Sequence, residues 1–155
     1  MSDHGTGGCA CGTVRFQLTS PPYDAGWCHC RTCQLSSGTP AQPFASIKRG
    51  DWVVTSGTDS LRSVRSSNFG QRSFCAQCGT PLYVTVEHQP ETLDFSVVTL
   101  DDPDAVPPEF HIFWGSKVAW FNPGDDLPKH DRFRPDTVGL EGTEPPDGSS
   151  MVGGP

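Results

Sequence analysis

The seven cysteines of this sequence constrain its fold more than any other feature. They fall into three tight groups, which are Cys9 and Cys11, then Cys28, Cys30 and Cys33, and finally Cys75 and Cys78. Four thiolates complete a tetrahedral zinc shell, whereas three thiolates leave one coordination position for water or a substrate. The division into four and three therefore predicts two metal sites, one that holds the fold together and one that takes part in chemistry.

The two outer pairs predict a structural zinc site. In a C-x-C segment of extended backbone both side chains lie on one face, and a C-x-x-C turn brings its two thiolates together. Glycines flank both pairs, in G-G-C-A-C-G and in C-A-Q-C-G, and allow the tight turns of a metal knuckle. Because apolar residues make up only 34% of the chain, the roughly 10–16 kcal/mol of a structural zinc site would add strongly to a modest core. The alternatives are unliganded buried thiols or a redox-active C-x-x-C.

The middle group, Cys28, Cys30 and Cys33, predicts a second, open zinc site. Thiolates select zinc over magnesium or calcium, and three of them suit the metal to holding a soft ligand such as a substrate thiol. Two alternatives stay open, namely that a histidine closes the shell and the site is structural, or that there is no second metal. His29 lies between two of the cysteines, so in extended backbone its side chain faces away from them. His111 could close the shell from a predicted strand.

Charge and hydropathy exclude several classes of partner. The net charge of −7 argues against nucleic acid as the main partner, because phosphate binding needs a basic face. No apolar run approaches the ~18 residues of a transmembrane helix, and residues 1–8 lack the apolar stretch of a signal peptide. We therefore expect a cytoplasmic protein that does not bind membranes, in which closely spaced cysteines are more often metal ligands than disulfides. The sequence does not indicate an oligomeric state.

Hydrophobic periodicity predicts an all-β fold of many short strands with little helix. Val14, Phe16 and Leu18 alternate with polar residues, which is typical of a half-buried strand. Further strands are predicted at residues 44–47, 52–55, 61–66, 82–86, 93–100, 110–114 and 118–121, and a helical turn at residues 34–38. Residues 1–135 are predicted to form a single zinc-binding β domain. Residues 136–155, rich in Gly, Pro, Ser and acidic side chains, are predicted to form a disordered tail.

Several motifs, in the same order, resemble those of the glutathione-dependent formaldehyde-activating enzyme family, to which relatives of centromere protein V also belong. They are G-G-C-A-C-G-T-V-R-F, C-H-C-R-T-C followed by Gly38, F-C-A-Q-C-G-T-P-L, and H-I-F-W together with Trp120. The resemblance covers roughly residues 7–121. It implies a zinc-stapled, folded β-coil.

The resemblance also implies roles for the cysteines. The positions that hold a structural zinc in the family match Cys9, Cys11, Cys75 and Cys78. The ligands of a labile zinc, at which the substrate thiol is thought to bind, match Cys28, Cys30 and Cys33. The activity named for the family joins formaldehyde and glutathione into S-(hydroxymethyl)glutathione, which is formally a carbon–sulfur lyase reaction.

Two hypotheses for the function follow. The first is a zinc-dependent, carbon–sulfur lyase-like enzyme, in which a small thiol such as glutathione, bound at the open site, attacks formaldehyde or another small carbonyl. His29 and His111 are its candidate general acids. The second is a non-catalytic zinc-binding module that recognises a protein or small-molecule partner. A protein side chain as fourth ligand of the second zinc would favour the module, and an open position would favour the enzyme.

Other side chains are candidates to complete the site. A site for glutathione, which carries two carboxylates, needs cations, and Arg31, Lys48 and Lys117 are candidates unless they are plain surface charges. Among the tryptophans, we expect Trp27 and Trp120 to cover the metal region.

Overall fold

The structure, a computed structural model, describes residues 3–138 of the chain. The strands in this part are β1 (Thr6–Gly8), β2 (Arg15–Leu18), β3 (Tyr23–Cys28), β4 (Gln42–Lys48), β5 (Trp52–Ser56), β6 (Leu61–Arg65), β7 (Gly70–Cys75), β8 (Pro81–Val86), β9 (Thr92–Ser96) and β10 (His111–Ile112). The α-helix is α1 (Arg31–Ser37), and short 3₁₀ turns lie at Arg49–Asp51, Thr58–Ser60, Val97–Thr99, Pro103–Ala105 and Trp114–Ser116. The all-β prediction with little helix is confirmed.

The strands form two sheets of different size. A three-stranded sheet has the order β1-β2-β5, and a seven-stranded sheet has the order β10-β3-β4-β9-β8-β7-β6. Strand β10 pairs with β3 in parallel, and the other pairs are antiparallel. The large sheet therefore places β7, which ends in an outer cysteine, in the same layer as β3, which ends in a middle cysteine.

The main core lies between the two sheets. Phe16 and Leu18 on β2 are fully buried, and so is Val14, which immediately precedes the strand, as the alternating pattern predicts. The ring of Phe16 stacks on that of Trp52 with centroids 4.6 Å apart and meets Phe95 edge-on at 6.2 Å. A separate, smaller apolar cluster contains the three middle cysteines and Phe113. Residues 3–138 therefore contain one large core and one small one.

Three sequence-based expectations in the second half of the domain are wrong. Residues 118–121 form no strand, and the Phe121 amide closes a turn on the Val118 carbonyl at 3.3 Å. Trp120 in that turn is 75% exposed, so it does not cover the metal region. The strand predicted at residues 93–100 ends at Ser96 and continues as a 3₁₀ turn.

The described chain continues past the predicted domain boundary at residue 135. Gln89 Nε2 donates a hydrogen bond of 2.7 Å to the carbonyl of Val138, so residues 136–138 are in contact with the β domain. The remainder of the predicted tail, residues 139–155, lies outside the described residues. Within residues 3–138, no helix is long and apolar enough to cross a membrane.

Candidate functional site

The outer four cysteines come together at one end of the two sheets. Cys9 and Cys11 lie in the turn after β1, and Cys75 and Cys78 lie where β7 turns towards β8. Their four sulfur atoms are all within 4.8 Å of one another, and tetrahedral zinc with Zn–S bonds of about 2.3 Å requires sulfur separations of roughly 3.8 Å. The outer group therefore fits a tetrahedral metal shell.

Backbone amides and hydroxyls surround the outer sulfurs. The Val14 amide donates to Cys9 Sγ at 3.2 Å, and Cys78 Sγ lies 3.2 Å from Thr80 Oγ1. The hydroxyl and then the backbone N–H of Thr80 lower the pKa of the Cys78 thiol to about 5. Hydrogen bonds of this kind stabilise thiolates and orient them as metal ligands.

The middle three cysteines come from one short stretch of chain. Cys28 ends β3, Cys30 is the N-cap of α1, and Cys33 lies in the first turn of that helix. Cys30 Sγ accepts a hydrogen bond of 3.3 Å from the Cys33 amide, so the cap itself holds one ligand in place. All three side chains are buried and their sulfurs lie within 4.8 Å of one another, which fits three positions of a metal shell. Among residues 3–138, no histidine, aspartate or glutamate completes either group.

An arginine that the sequence does not single out contacts the middle group. Arg72 on β7 donates from Nη2 to Cys33 Sγ at 3.2 Å and from Nη1 to Gln42 Oε1 at 3.1 Å. Hydrogen bonds from the thiols of Cys28 and Cys30 lower the pKa of Cys33 well below its usual value, burial opposes the shift, and the Arg72 charge adds to it. The middle group therefore carries negative charge beside a fixed cation.

The two candidate catalytic histidines lie together behind the middle group. His29 Nε2 is 2.8 Å from His111 Nδ1, and His111 Nε2 is 3.0 Å from a carboxylate oxygen of Asp125. The Asp125 carboxylate accepts the hydrogen bond from His111 Nε2, and the other nitrogen of His111 is hydrogen-bonded to His29. Burial, and then His111, lower the pKa of His29 to about 4, so its ring is neutral. Trp27 stacks on His111 at 6.4 Å.

A cavity of about 320 Å³ opens beside the middle group. Its floor includes one residue from each of five neighbouring strands of the large sheet, each opposite the next in the strand pairing. In the order β7, β8, β9, β4 and β3, these residues are Arg72, Val84, Asp94, Ser46 and Tyr23. Cys28, Cys30 and Cys33 form part of its wall, and neither His29 nor His111 lines it. The sequence-predicted cysteine site is thus next to a space for a ligand, whereas the histidines face the other side of the loop.

Asp94 is a second residue at this site that the sequence does not single out. It accepts a hydrogen bond of 2.6 Å from Ser46 Oγ, and its side chain faces the cavity. Burial raises its pKa to about 6, and the Ser46 hydrogen bond only partly offsets that shift. It meets Ser46 only because β4 pairs with β9, so its own segment shows a charge within a predicted strand but not the partner of that charge.

The three cations proposed for glutathione carboxylates do not line the cavity. Arg31 Nη1 donates to Gln34 Oε1 at 3.3 Å, and Lys48 is exposed. Lys117 Nζ lies over the Trp114 ring at 5.5 Å. The structure brings Arg72 to the cysteines instead.

Comparisons with known proteins agree on one family. The family model described as glutathione-dependent formaldehyde-activating enzyme matches residues 4–116. A Halomonas elongata protein named "Putative glutathione-dependent formaldehyde-activating enzyme" is 28% identical over 121 residues, which are 74% of this chain and 77% of that protein. A Podospora anserina protein of the same name is 31% identical over 88% of this chain and 66% of its own length.

Two further proteins are similar over part or most of the chain. A Schizosaccharomyces pombe protein named "Uncharacterized lyase" is 29% identical over 50% of this chain and 54% of its own length. The crystal structure of a Rhodobacter sphaeroides protein matches with a TM-score of 0.53 at 21% identity, over 80% of this chain and 98% of that one. The second similarity shows a shared fold.

Proposed function

The chain belongs to the glutathione-dependent formaldehyde-activating enzyme family, and we propose that it is a zinc-dependent, carbon–sulfur lyase-type enzyme. Its reaction would join a small thiol to a small carbonyl compound such as formaldehyde. One observation carries the proposal: the buried sulfurs of Cys28, Cys30 and Cys33 converge at the wall of a cavity, and no fourth protein ligand joins them among residues 3–138. A purely structural site would be expected to have a closed shell.

Both cysteine groups suit zinc because soft thiolates select it over harder cations. The outer group would hold a structural zinc, and the middle group would hold a second one with an open position. Zinc in the middle group would supply the positive charge that keeps an incoming thiol deprotonated near neutral pH.

Arg72 has a defined part in this proposal. Its guanidinium donates to Cys33 Sγ, so it stabilises the deprotonated form of the cysteine ligands and offsets their charge. Its second donor contacts Gln42, which fixes the direction of the side chain. Arg72 is therefore a positioning residue for the ligand set.

Hydrogen bonds hold the loop that carries the middle cysteines on the side away from the cavity. Gln34 Nε2 donates to the carbonyl of His29 at 2.8 Å and to that of Ser116 at 3.2 Å. The hydrogen-bonded chain from His29 through His111 to Asp125 holds the loop from the same side. In this proposal both histidines orient the loop and do not touch the substrate.

The proposal is tested by measuring the exchange between a thiol, formaldehyde and their adduct by proton NMR, with and without the zinc-loaded protein. We expect the wild-type protein to accelerate the exchange and Cys30→Ser to abolish the acceleration. Leu35→Ser, at an exposed position of the same helix, is the matched control and should behave as wild type. A wild-type exchange rate equal to the protein-free rate would contradict the proposed activity and favour a non-catalytic binding module.

A further inference from the structure

Five phenylalanine rings line the wall of the cavity. Phe44, Phe69, Phe110, Phe113 and Phe133 all line it, and Phe113 and Phe133 meet edge-on with centroids 4.9 Å apart. Phe110 approaches the sheet closely because Gly26 has no side chain, and a Cβ at that position would lie 2.2 Å from its ring. Such a lining favours an apolar group, whose surface would leave water on binding.

The two arginines of the cavity already have anionic or polar partners. Arg72 is held by Cys33 and Gln42. Arg134 forms an ion pair of 2.8 Å with Asp24, and its guanidinium lies 4.4 Å from the centroid of the Phe110 ring. Within residues 3–138, the cavity wall therefore offers no arginine or lysine that is unpaired. A substrate carboxylate would have to displace an existing partner to find a cation.

Acidic side chains also line the cavity. Asp94 lies on the floor, and Asp24 and Glu91 are exposed residues of the lining. His88, a further titratable residue of the wall, has a pKa lowered by burial and so carries little positive charge. Because Asp24 is paired with Arg134, and Arg72 with Cys33, the carboxylates of Asp94 and Glu91 remain, and their charge disfavours an anion and favours a neutral or cationic group.

From this lining we infer that the thiol substrate of the middle cysteine site is an apolar thiol of neutral or positive charge, and not a dicarboxylate such as glutathione. The inference rests on the proposed function. In the reaction, the thiol sulfur bonds to the carbonyl carbon, the π bond of the carbonyl breaks, and the thiol proton ends on the new hydroxyl oxygen. No other reactant is required.

The test compares thiols that differ in charge but not in their reacting group. The zinc-loaded wild-type protein is assayed for adduct exchange with formaldehyde, using glutathione, glutathione diethyl ester and 2-phenylethanethiol. We expect kcat/KM at least about tenfold higher for the diethyl ester than for glutathione, and higher again for 2-phenylethanethiol. A value for glutathione equal to or above that of the ester overturns the inference and leaves the proposed function intact. No acceleration with any of the thiols overturns both.

A variant pair ties the preference to the cavity. Asp94→Asn keeps the shape of the side chain and removes its charge, so we expect the ester-to-acid ratio of kcat/KM to fall about fivefold to tenfold. Asp59→Asn removes an exposed carboxylate that does not line the cavity, and it should leave the ratio unchanged. Because the readout is a ratio, a general loss of rate does not affect it. Equal ratios in the wild-type protein and in Asp94→Asn would overturn the assignment of the preference to the cavity charge.

Discussion

The two cysteine groups use the same ligand type in opposite ways. The outer group joins segments that are 64 positions apart in the chain, and its members Cys9 and Cys75 are packed into the main core. The middle group lies within a single loop and helix start, and it packs with Phe113 in the small aromatic cluster. Of the outer sulfurs, one receives a hydrogen bond from the Val14 amide, whereas Cys33 receives one from the Arg72 side chain.

This difference indicates how each group is coupled to folding. A metal in the outer group would close a long loop and connect both sheets, so its binding would be coupled to the folding of the whole domain. A metal in the middle group would close only short loops and would face a cavity, so it could leave with little loss of structure.

The largest expected effect is a difference in stability between two Cys→Ser variants, one in each group, in which a single sulfur atom is replaced by oxygen. Cys75→Ser should lower the free energy of unfolding by at least about 3 kcal/mol and prevent soluble expression, because it removes a ligand that ties both sheets together. Cys30→Ser should lower it by less than about 2 kcal/mol and leave a folded protein with about one zinc per chain. Soluble yield, urea unfolding and metal analysis measure both variants. Equal losses of stability would break the contrast.

The next effect concerns the arginine beside each group. Arg72→Gln removes the cation at Cys33 and should weaken metal binding at the middle group about 10-fold to 100-fold, as is typical when a partner of a metal ligand is lost. Arg15→Gln is the matched control, because Arg15 lies next to β1 and bonds to Asp101 at 2.9 Å without touching a sulfur. It should leave both metal affinities unchanged. Competition with a zinc-binding dye measures both affinities. If Arg72→Gln left the zinc affinity of the middle group unchanged, Arg72 would have no role in metal binding there.

Two carboxylates, Asp94 in the cavity and Asp101 beside Arg15, should contribute to stability with opposite sign. Burial raises the pKa of Asp94 to about 6 from 3.8, so ionising it opposes folding, and this penalty grows as the pH rises from about 4 through 6. Asp94→Asn should therefore be more stable than wild type at pH 8, by about 1–3 kcal/mol. The stability difference between Asp94→Asn and the wild type should be smaller at pH 5 than at pH 8, by about 1 kcal/mol.

Asp101 provides the opposite case. Hydrogen bonds from Arg15 and then Thr6 lower its pKa to about 2, so its contribution to stability is present above about pH 4 and is lost as the pH falls through 2. Asp101→Asn should therefore be less stable than wild type at pH 7. Urea unfolding of the zinc-loaded proteins between pH 5 and pH 8 should show a gain for Asp94→Asn that grows with pH and a loss for Asp101→Asn that stays constant. A destabilised Asp94→Asn at pH 8 would contradict the assignment of Asp94 to a costly, buried position.

The smallest effect is expected at the C-terminus. We predict that removing residues 139–155 leaves the melting temperature and the metal content unchanged, because their composition offers little apolar surface to bury. The cut is placed after Val138 because Gln89 bonds to that residue. A fall of several degrees in the melting temperature would show that the segment packs against one of the two regions.

Much of this contrast could be predicted from the sequence, because short-range patterns determine it. The spacing of the cysteines identified both groups, and the alternation at Phe16 and Leu18 identified β2. Strand β3 was missed because its pattern is interrupted by Gly26 and by Asp24, whose φ of 51° is unusual for a residue with a side chain. The strand predicted at residues 118–121 was wrong, since no strand of the described part, residues 3–138, pairs with that segment.

The residues that the sequence did not reveal are those that depend on strand pairing. Arg72 reaches Cys33 from 39 positions away, and Asp94 meets Ser46 only because β9 pairs with β4. Asp94 lies within the strand predicted at residues 93–100, and a charge inside a predicted strand is the one local signal that could have marked it. Arg72 lies on β7, which the sequence does not predict, so it had no such signal. The residue that such a side chain contacts can be identified only when the register of the paired strands is known.

The most direct test of the contrast is the release of zinc from the fully loaded wild-type protein by a chelator, followed together with circular dichroism. The account predicts two phases of about one zinc each. The first should be fast, should leave the circular dichroism unchanged, and should be slowed by glutathione diethyl ester, whose sulfur would occupy the open position. The second should coincide with unfolding. Release of both zinc ions in one phase together with unfolding, at a rate that the thiol does not change, would contradict the account.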